Sequence, residues 1–326
     1  MEPNMALLKP KIYYESSPRF ERCLREWEHF FRSNGVKYRT DRAFGKGVLG
    51  DENISIIFGS WKDRKSKHHR IKRAVVASGK PFIVIETSLL GREKVTHYFD
   101  EPWFRIGVNG YLADSGLFNN DGVGIDRWKK IQDERNIDLH PWNPTGKYIL
   151  VVLQLPGDAS LRGASIEKWA LKICTSIRQV TDFPIVIRRP QLEVTFSEAI
   201  LEECTHMVNV SIEPGSRENL FSSIDNCIFG CTFSSGMGID LMLRGKPVIA
   251  DDPGSFVYPI RTEIHHALEG AFNMPNRIPL LSKIAYCQWH LSEIQTGAVW
   301  KHLLPVLTAC NYDQPWSLST DRSTNN

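Results

Sequence analysis

The apolar positions along the chain change period repeatedly, and each change predicts an element. Phe20, Cys23, Leu24, Trp27, Phe30 and Phe31 recur at intervals of three and four, the stripe of an amphipathic helix. Ser16-Ser17-Pro18 opens that helix, with proline in its first turn, and Gly35 closes it. Short, mainly apolar runs predict strands at 12–14, 54–59, 82–86, 148–153, 184–187, 207–210, 228–233 and 248–250, with a brief one at 36–39. Helices are predicted at 70–78, 126–136, 166–180, 197–204, 220–224 and 239–243, and as a pair within 283–304 broken near Gly297. Most strands lead into a loop and a helix. That alternation predicts an α/β chain of parallel sheets covered by helices on both faces. The strands at 54–58 and 82–86 should form a parallel pair with a right-handed crossover.

Residues 103–128 break the pattern. Five glycines, three asparagines and three aspartates argue against regular structure there, and the interleaved aromatic and aliphatic residues predict an ordered functional loop. Asp126 is its closing residue and a candidate N-cap for the next helix. His140-Pro141-Trp142-Asn143-Pro144-Thr145-Gly146 reads as a hinge between domains.

The stretch 228–250, IFGCTFSSGMGIDLMLRGKPVIA, reads strand, tight turn, helix, strand. Ser234-Ser235-Gly236 makes a small hydroxyl-rich turn, Asp240 places a carboxylate early in the helix, and Arg244-Gly245-Lys246-Pro247 stops it. Such a turn leaves backbone N–H groups for an anion, at a strand C-end where α/β sheets bind ligands.

This stretch resembles the donor-binding half of GT-B glycosyltransferases. There a Ser/Thr-Gly turn faces the sugar nucleotide, an acid early in the following helix holds the ribose, and a "GKPVI"-like strand follows. The family usually has Glu where this chain has Asp240. The resemblance extends to the Gly157-Asp158-Ala159-Ser160 loop and, more loosely, to ETSLLGR from Glu86 to Arg92, Asn109-Gly110 and Asp126-Arg127-Trp128. Within the family, the chain looks similar to bacteriophage enzymes that glucosylate hydroxymethylated pyrimidines in DNA. The resemblance implies two Rossmann-like domains with parallel sheets facing a central cleft. Residues 1–144 would bind the acceptor and 145–282 the nucleotide sugar, with helices at 283–312 crossing back to the first domain and a disordered tail at 313–326.

On that reading the donor, with UDP-glucose expected, is held by Gly157, Asp158, Ser160, Arg162, Arg188, Ser234, Ser235, Gly236 and Asp240. Arg162 and Arg188 are the diphosphate partners, Ser160 and the 234–236 turn bond phosphate oxygens, and Asp240 takes the ribose. Direct displacement needs a base for the acceptor hydroxyl. The candidates are Asp114, Asp126, Asp121 and Glu86, with Asp114 preferred because it sits in a glycine-rich loop. Glu86 also reads as a structural acid between strands.

Composition narrows the field. At 326 residues, with 42% hydrophobic and 24% charged positions, the chain reads as a soluble protein of two domains. It shows no membrane-length apolar run and no signal-peptide core, so a cytoplasmic protein, monomeric and without membrane contact, is expected. Seven scattered cysteines argue against a disulfide framework or a zinc scaffold. No metal motif stands out beyond the Asp251-Asp252 pair, so a divalent cation is treated as optional. The net charge is +3, yet residues 61–73 hold seven Lys/Arg, two His and one Asp. Lys62, Arg64, Lys65, Lys67, Arg70, Lys72 and Arg73 are therefore candidate contacts to the phosphates of duplex DNA, whose target base would flip out to reach the donor. A GT-B transferase acting on a surface polysaccharide or lipid-linked glycan is the alternative, although the basic run has few apolar residues for membrane docking. A nucleic-acid-binding α/β protein without catalysis is the third reading.

Overall fold

The structure is a computed structural model and describes residues 8–14, 18–42, 51–59, 67–92, 100–192, 194–216 and 218–309, with side chains at 67–70 outside the description. The expected tail at 313–326 lies outside the described residues. The chain divides into two compact units. One holds the described residues up to Tyr111, Ser115–Arg135 and the segment from Leu281; the other holds Leu112–Asp114 and Asn136–Leu280.

The first unit begins with β1 (Pro10–Tyr13), α1 (Pro18–Ser33), β2 (Arg39–Asp41), β3 (Ile54–Phe58), α2 (Lys67–Ala77), β4 (Phe82–Thr87), β5 (Trp103–Val108) and α3 (Asp126–Arg135). The strand expected at 36–39 forms later, at β2. The stripe on α1 is buried as its spacing requires. β1, β2, β3 and β4 pair in parallel, but β5 runs antiparallel to β4. The expectation of an all-parallel sheet therefore fails here, and so does the reading of 103–108 as loop. Arg105 and the glycine-rich flank hid β5. All six residues of the strand are buried, and Arg105 lies directly opposite Glu86, whose charge offsets the cost of burying the guanidinium. Tyr111 stacks on the same group, its ring 5.2 Å away.

The second unit contains β6 (Tyr148–Val152), α4 (Ile166–Arg178), β7 (Ile185–Arg188), α5 (Glu198–Thr205), β8 (Val210–Glu213), α6 (Leu220–Asp225), β9 (Cys227–Thr232), α7 (Met237–Leu243), β10 (Val248–Ala250) and α8 (Ile264–Leu268). Its sheet is wholly parallel, in the order β10-β9-β6-β7-β8. Counted along the unit, this is the doubly wound order 3-2-1-4-5. β8 falls three residues later than the apolar run at 207–210 suggests, because Asn209 takes φ 54° and turns the chain just before it. The inward face of α4 buries Trp169, Ile173 and Ile177 against this sheet.

Ser165 starts α4: its Oγ accepts the N–H of Lys168 at 3.2 Å and donates to Glu167 at 2.8 Å. Ser165→Ala is expected to cost about 1 kcal/mol of stability, typical of a lost N-cap. Chemical denaturation of the two proteins, compared at equal m-value, measures it.

After α9 (Ile278–Ala285) the chain adds β11 (Gln288–His290), α10 (Leu291–Gln295) and α11 (Ala298–Ala309) to the first unit. β11 pairs antiparallel with β5, which completes the order β11-β5-β4-β3-β1-β2. Its three residues were too short a run to read as a strand. The helices break at Gly297 as expected, and Trp300 packs edge-on to Trp27 and Phe31 of α1, with centroids 6.1 and 5.1 Å apart. Among the described residues, no helix is long and apolar enough to cross a membrane.

Candidate functional site

In the second unit the chain goes one way from β6 to β7 and β8, and the other way to β9 and β10. Ligands of such sheets bind beyond the C-ends of the strands where the order reverses, here β6 and β9. β6 leads into Leu153-Gln154-Leu155-Pro156-Gly157-Asp158, and β9 into Phe233-Ser234-Ser235-Gly236. Pro156 and Gly157 make a tight turn closed by Asp158 N–H on the Leu155 carbonyl at 3.1 Å, with Gly157 at φ 70°. A single turn of 3-10 helix, Ala159–Leu161, follows, and Asp158 caps it by accepting the N–H of Ser160 at 2.9 Å.

Gln154 joins the two loops. Its Oε1 accepts the backbone N–H of Ser234 at 2.8 Å, and its Nε2 donates to Ser160 Oγ at 2.9 Å and to Ser234 Oγ at 3.2 Å. Ser160 Oγ donates to Asp158 at 2.8 Å, and Ser234 Oγ donates to the Ser160 carbonyl at 3.1 Å. The predicted residues Asp158, Ser160 and Ser234 are thus brought together by a residue the sequence reading passed over. The signal was present: a polar amide directly after the apolar run 148–153, at the end where such sheets bind ligands.

Arg162 leaves the loop in the left-handed region, φ 52°. Its guanidinium is bonded to Asp114 and lies 3.7 Å from Asp252. Asp252 also accepts the N–H of Gly254 at 2.8 Å, and the Gly254 carbonyl accepts the N–H of Ala113 at 3.0 Å. A Cβ on Gly254 would come within 2.7 Å of Arg162 and Asp252, so a larger residue there would push the ends of those two side chains aside. The preferred base candidate and one of the two predicted diphosphate arginines therefore share an ion pair.

The turn of the second loop is partly self-satisfied. Ser235 Oγ accepts the N–H of Met237 at 3.2 Å, and its carbonyl accepts the N–H of Gly238 at 3.0 Å. Gly236 caps α7, on which Asp240 is buried. Arg188, at the C-end of β7, is also buried, but it bonds Glu213 at 3.0 Å, Ser223 at 2.9 Å and the Ser216 carbonyl at 2.6 Å. These partners direct it toward β8 and α6 and not toward the cluster around Arg162. Asp251 is engaged by the indole N–H of Trp169 at 2.9 Å. Among the described residues, no group of three or more metal-ligating side chains occurs.

The remaining candidates lie in the first unit. Glu86 is buried at the end of β4, opposite Arg105. Asp126 is the first residue of α3 and accepts the Tyr286 hydroxyl at 3.3 Å. Asp121 is exposed and pairs with Lys283 at 2.6 Å. Of the basic run, Lys62, Arg64 and Lys65 lie outside the described residues, and the side chains of Lys67 and Arg70 are likewise outside the description. Lys72 is half-buried; burial pushes its ammonium down to about 7, with Glu86 opposing. Arg73 is exposed.

No protein-family model matches the chain, and no curated protein matches it. Solved structures do. KpsC of Thermosulfurimonas dismutans, a beta Kdo 2,4 transferase, is 15% identical with a TM-score of 0.50, over 85% of this chain and 90% of that one. A second KpsC structure from the same organism, a beta Kdo 2,7 transferase, is 14% identical with a TM-score of 0.45, over 91% and 99%. HepE of Anabaena, solved with UDP and glucose, is 10% identical with a TM-score of 0.36, over 93% and 100%. The first likeness is one of fold: the chain has the α/β architecture of GT-B proteins, one unit with a mixed sheet and the other with a parallel sheet.

Proposed function

We propose that the protein is a glycosyltransferase that moves a sugar from a nucleotide-sugar donor to a hydroxyl of a glycan, such as a surface polysaccharide or a lipid-linked saccharide. The observation that carries this reading is the reversal point of the parallel sheet. There Arg162, the Gly157–Ser160 loop and the Ser234–Gly236 turn gather in a GT-B fold. The glycan acceptor is favoured over DNA because the fold likeness is to KpsC, named as a Kdo transferase, and because Lys72 of the basic run is half-buried, its ammonium pushed down by burial. The phosphates of the donor lie against Arg162 and the ribose against Asp240. Asp114 acts as base: it takes the proton of the acceptor hydroxyl as that oxygen attacks the anomeric carbon. The bond from that carbon to the phosphate oxygen breaks, and the nucleotide leaves with the electron pair.

Transfer of radiolabelled sugar tests this, with a panel of nucleotide sugars led by UDP-glucose. The acceptors are capsular and lipid-linked glycans, duplex DNA containing 5-hydroxymethylcytosine or 5-hydroxymethyluracil, and unmodified DNA. Label in a glycan is the expected result. Label only in hydroxymethylated DNA overturns the acceptor class and restores the DNA-modifying reading. Neither transfer nor donor hydrolysis with any sugar, together with tight DNA binding, overturns the enzyme reading.

A further inference from the structure

The three serines around the reversal point are not equivalent once their protons are followed. Ser234 N–H can meet only an oxygen, so its bond orients the Gln154 amide and fixes Nε2 as the donor to both serine hydroxyls. Ser160 Oγ receives that N–H and passes its own proton to the Asp158 carboxylate. Ser234 Oγ receives the other N–H and passes its proton to the Ser160 carbonyl. Both hydroxyl protons are spent inside the protein, and each oxygen turns only lone pairs outward, which an anionic ligand avoids. Ser235 differs. Its Oγ accepts Met237 N–H, and its own proton has no protein acceptor among the described residues. The residue is half-buried, one position beyond the clasped Ser234.

We infer that Gln154 is a positioning residue that clasps the β6 and β9 loops together, committing the hydroxyls of Ser160 and Ser234 to the protein and leaving the hydroxyl of Ser235 as the serine donor to the phosphate of the bound nucleotide. This rests on the donor-site reading above and goes further: it separates the residues that shape the site from the one that touches the ligand. Clasping spends the ordering entropy of two loops before the ligand arrives, which is how a preorganised site gains affinity.

The test is calorimetric titration of the full chain with UDP, GDP, ADP and CMP, continued with whichever binds most tightly. If none of the four binds the wild-type protein, the donor-site reading fails and takes this inference with it. If one binds, the variants decide the inference alone. Ser235→Ala is expected to weaken binding about tenfold, the size of a lost bond to a charged group, and to lower the melting temperature only slightly, through the lost acceptor of Met237 N–H. Gln154→Met is expected to weaken it by a similar factor. The decisive readout is coupling. Because Gln154 bonds the hydroxyl of Ser234 as well as its N–H, which alanine keeps, the effects of Gln154→Met and Ser234→Ala should overlap in part in the double variant, whereas those of Gln154→Met and Ser235→Ala should multiply. Gln154→Glu keeps an oxygen for Ser234 N–H and carries the same cycle if the methionine variant does not fold. Multiplying effects for Gln154 and Ser234, or unaltered affinity in Ser235→Ala, overturns the inference.

Discussion

Asp114→Asn is expected to lower the turnover of sugar transfer by about 10²–10⁴-fold, the usual worth of a general base, while the nucleotide binds at least as tightly as before. The two effects have opposite signs for one reason. The carboxylate of Asp114 is bonded to Arg162, the cation assigned to the phosphates of the donor. An incoming phosphate must share that guanidinium with Asp114, and the neutral amide is a weaker competitor than a carboxylate. Steady-state kinetics separate the cases. A fall in kcat with the donor KM unchanged or lower supports the base. A rise in KM with kcat intact makes Asp114 only an anchor for the loop at 252–254. An unaltered rate removes it from the mechanism.

The second large effect concerns stability. Arg127 forks onto Glu293, with Nη1 to Oε1 at 2.7 Å and Nη2 to Oε2 at 2.8 Å. It also donates to the Ala285 carbonyl at 2.8 Å and stacks on Trp289 at 3.8 Å. Both ends of the ion pair are largely shielded, with side-chain exposures of 8% and 13%. Arg127→Met leaves Glu293 with Lys130 at 3.1 Å and the His290 N–H as its remaining partners, so a loss of about 3 kcal/mol, the low end for a broken buried pair, is expected. Glu293→Gln in the same chain should recover part of it, since removing both charges leaves none uncompensated. Chemical denaturation of the single and double variants checks both statements. No recovery would mean that the stack on Trp289 and the bonds to backbone carbonyls matter more than the pair.

The same pair sets a pH dependence. Burial alone raises the Glu293 carboxyl, but the bonds and charge of Arg127, the His290 N–H and Lys130 overrule it and bring it from near 4.5 to about 2. A carboxyl whose folded value is depressed adds stability that is complete above its unfolded value and is lost as pH falls through the folded one. Glu293 should therefore contribute up to about 3 kcal/mol that disappears between about pH 5 and 2. In Arg127→Met this slope should flatten. An equally steep acid transition in the variant would assign the dependence to other carboxyls.

Much of the fold was legible because burial on both faces leaves a mark on the local sequence. β3, β4, β6 and β9 are mainly apolar runs, and α1 and α4 carry their stripes at helical spacing. The turn at Pro156-Gly157 and the stop at Gly245 follow from backbone conformations that glycine adopts freely. β5 was not legible, because the partner that makes Arg105 tolerable in a buried strand is Glu86, on the neighbouring strand. β11 was not legible because three residues have no periodicity. Of the candidate site, the loops were visible and their wiring was not. Gln154 became a site residue only when Ser160 and Ser234, 74 residues apart, were seen to bond through it and to each other.

The amino-acid pattern was sufficient for the α/β class, for the strand–turn–helix–strand core at 228–250 and for which loops carry glycine, serine and arginine, because each depends on neighbours within a few residues. Strand direction in the first unit, the pairing of Asp114 with Arg162, the turning of Arg188 toward Glu213 and the hydrogen-bond partners of the three serines were decided by tertiary structure. Each depends on which donor meets which acceptor across the sheet or between loops, and hydrogen bonds and ion pairs of that kind leave no period in the sequence.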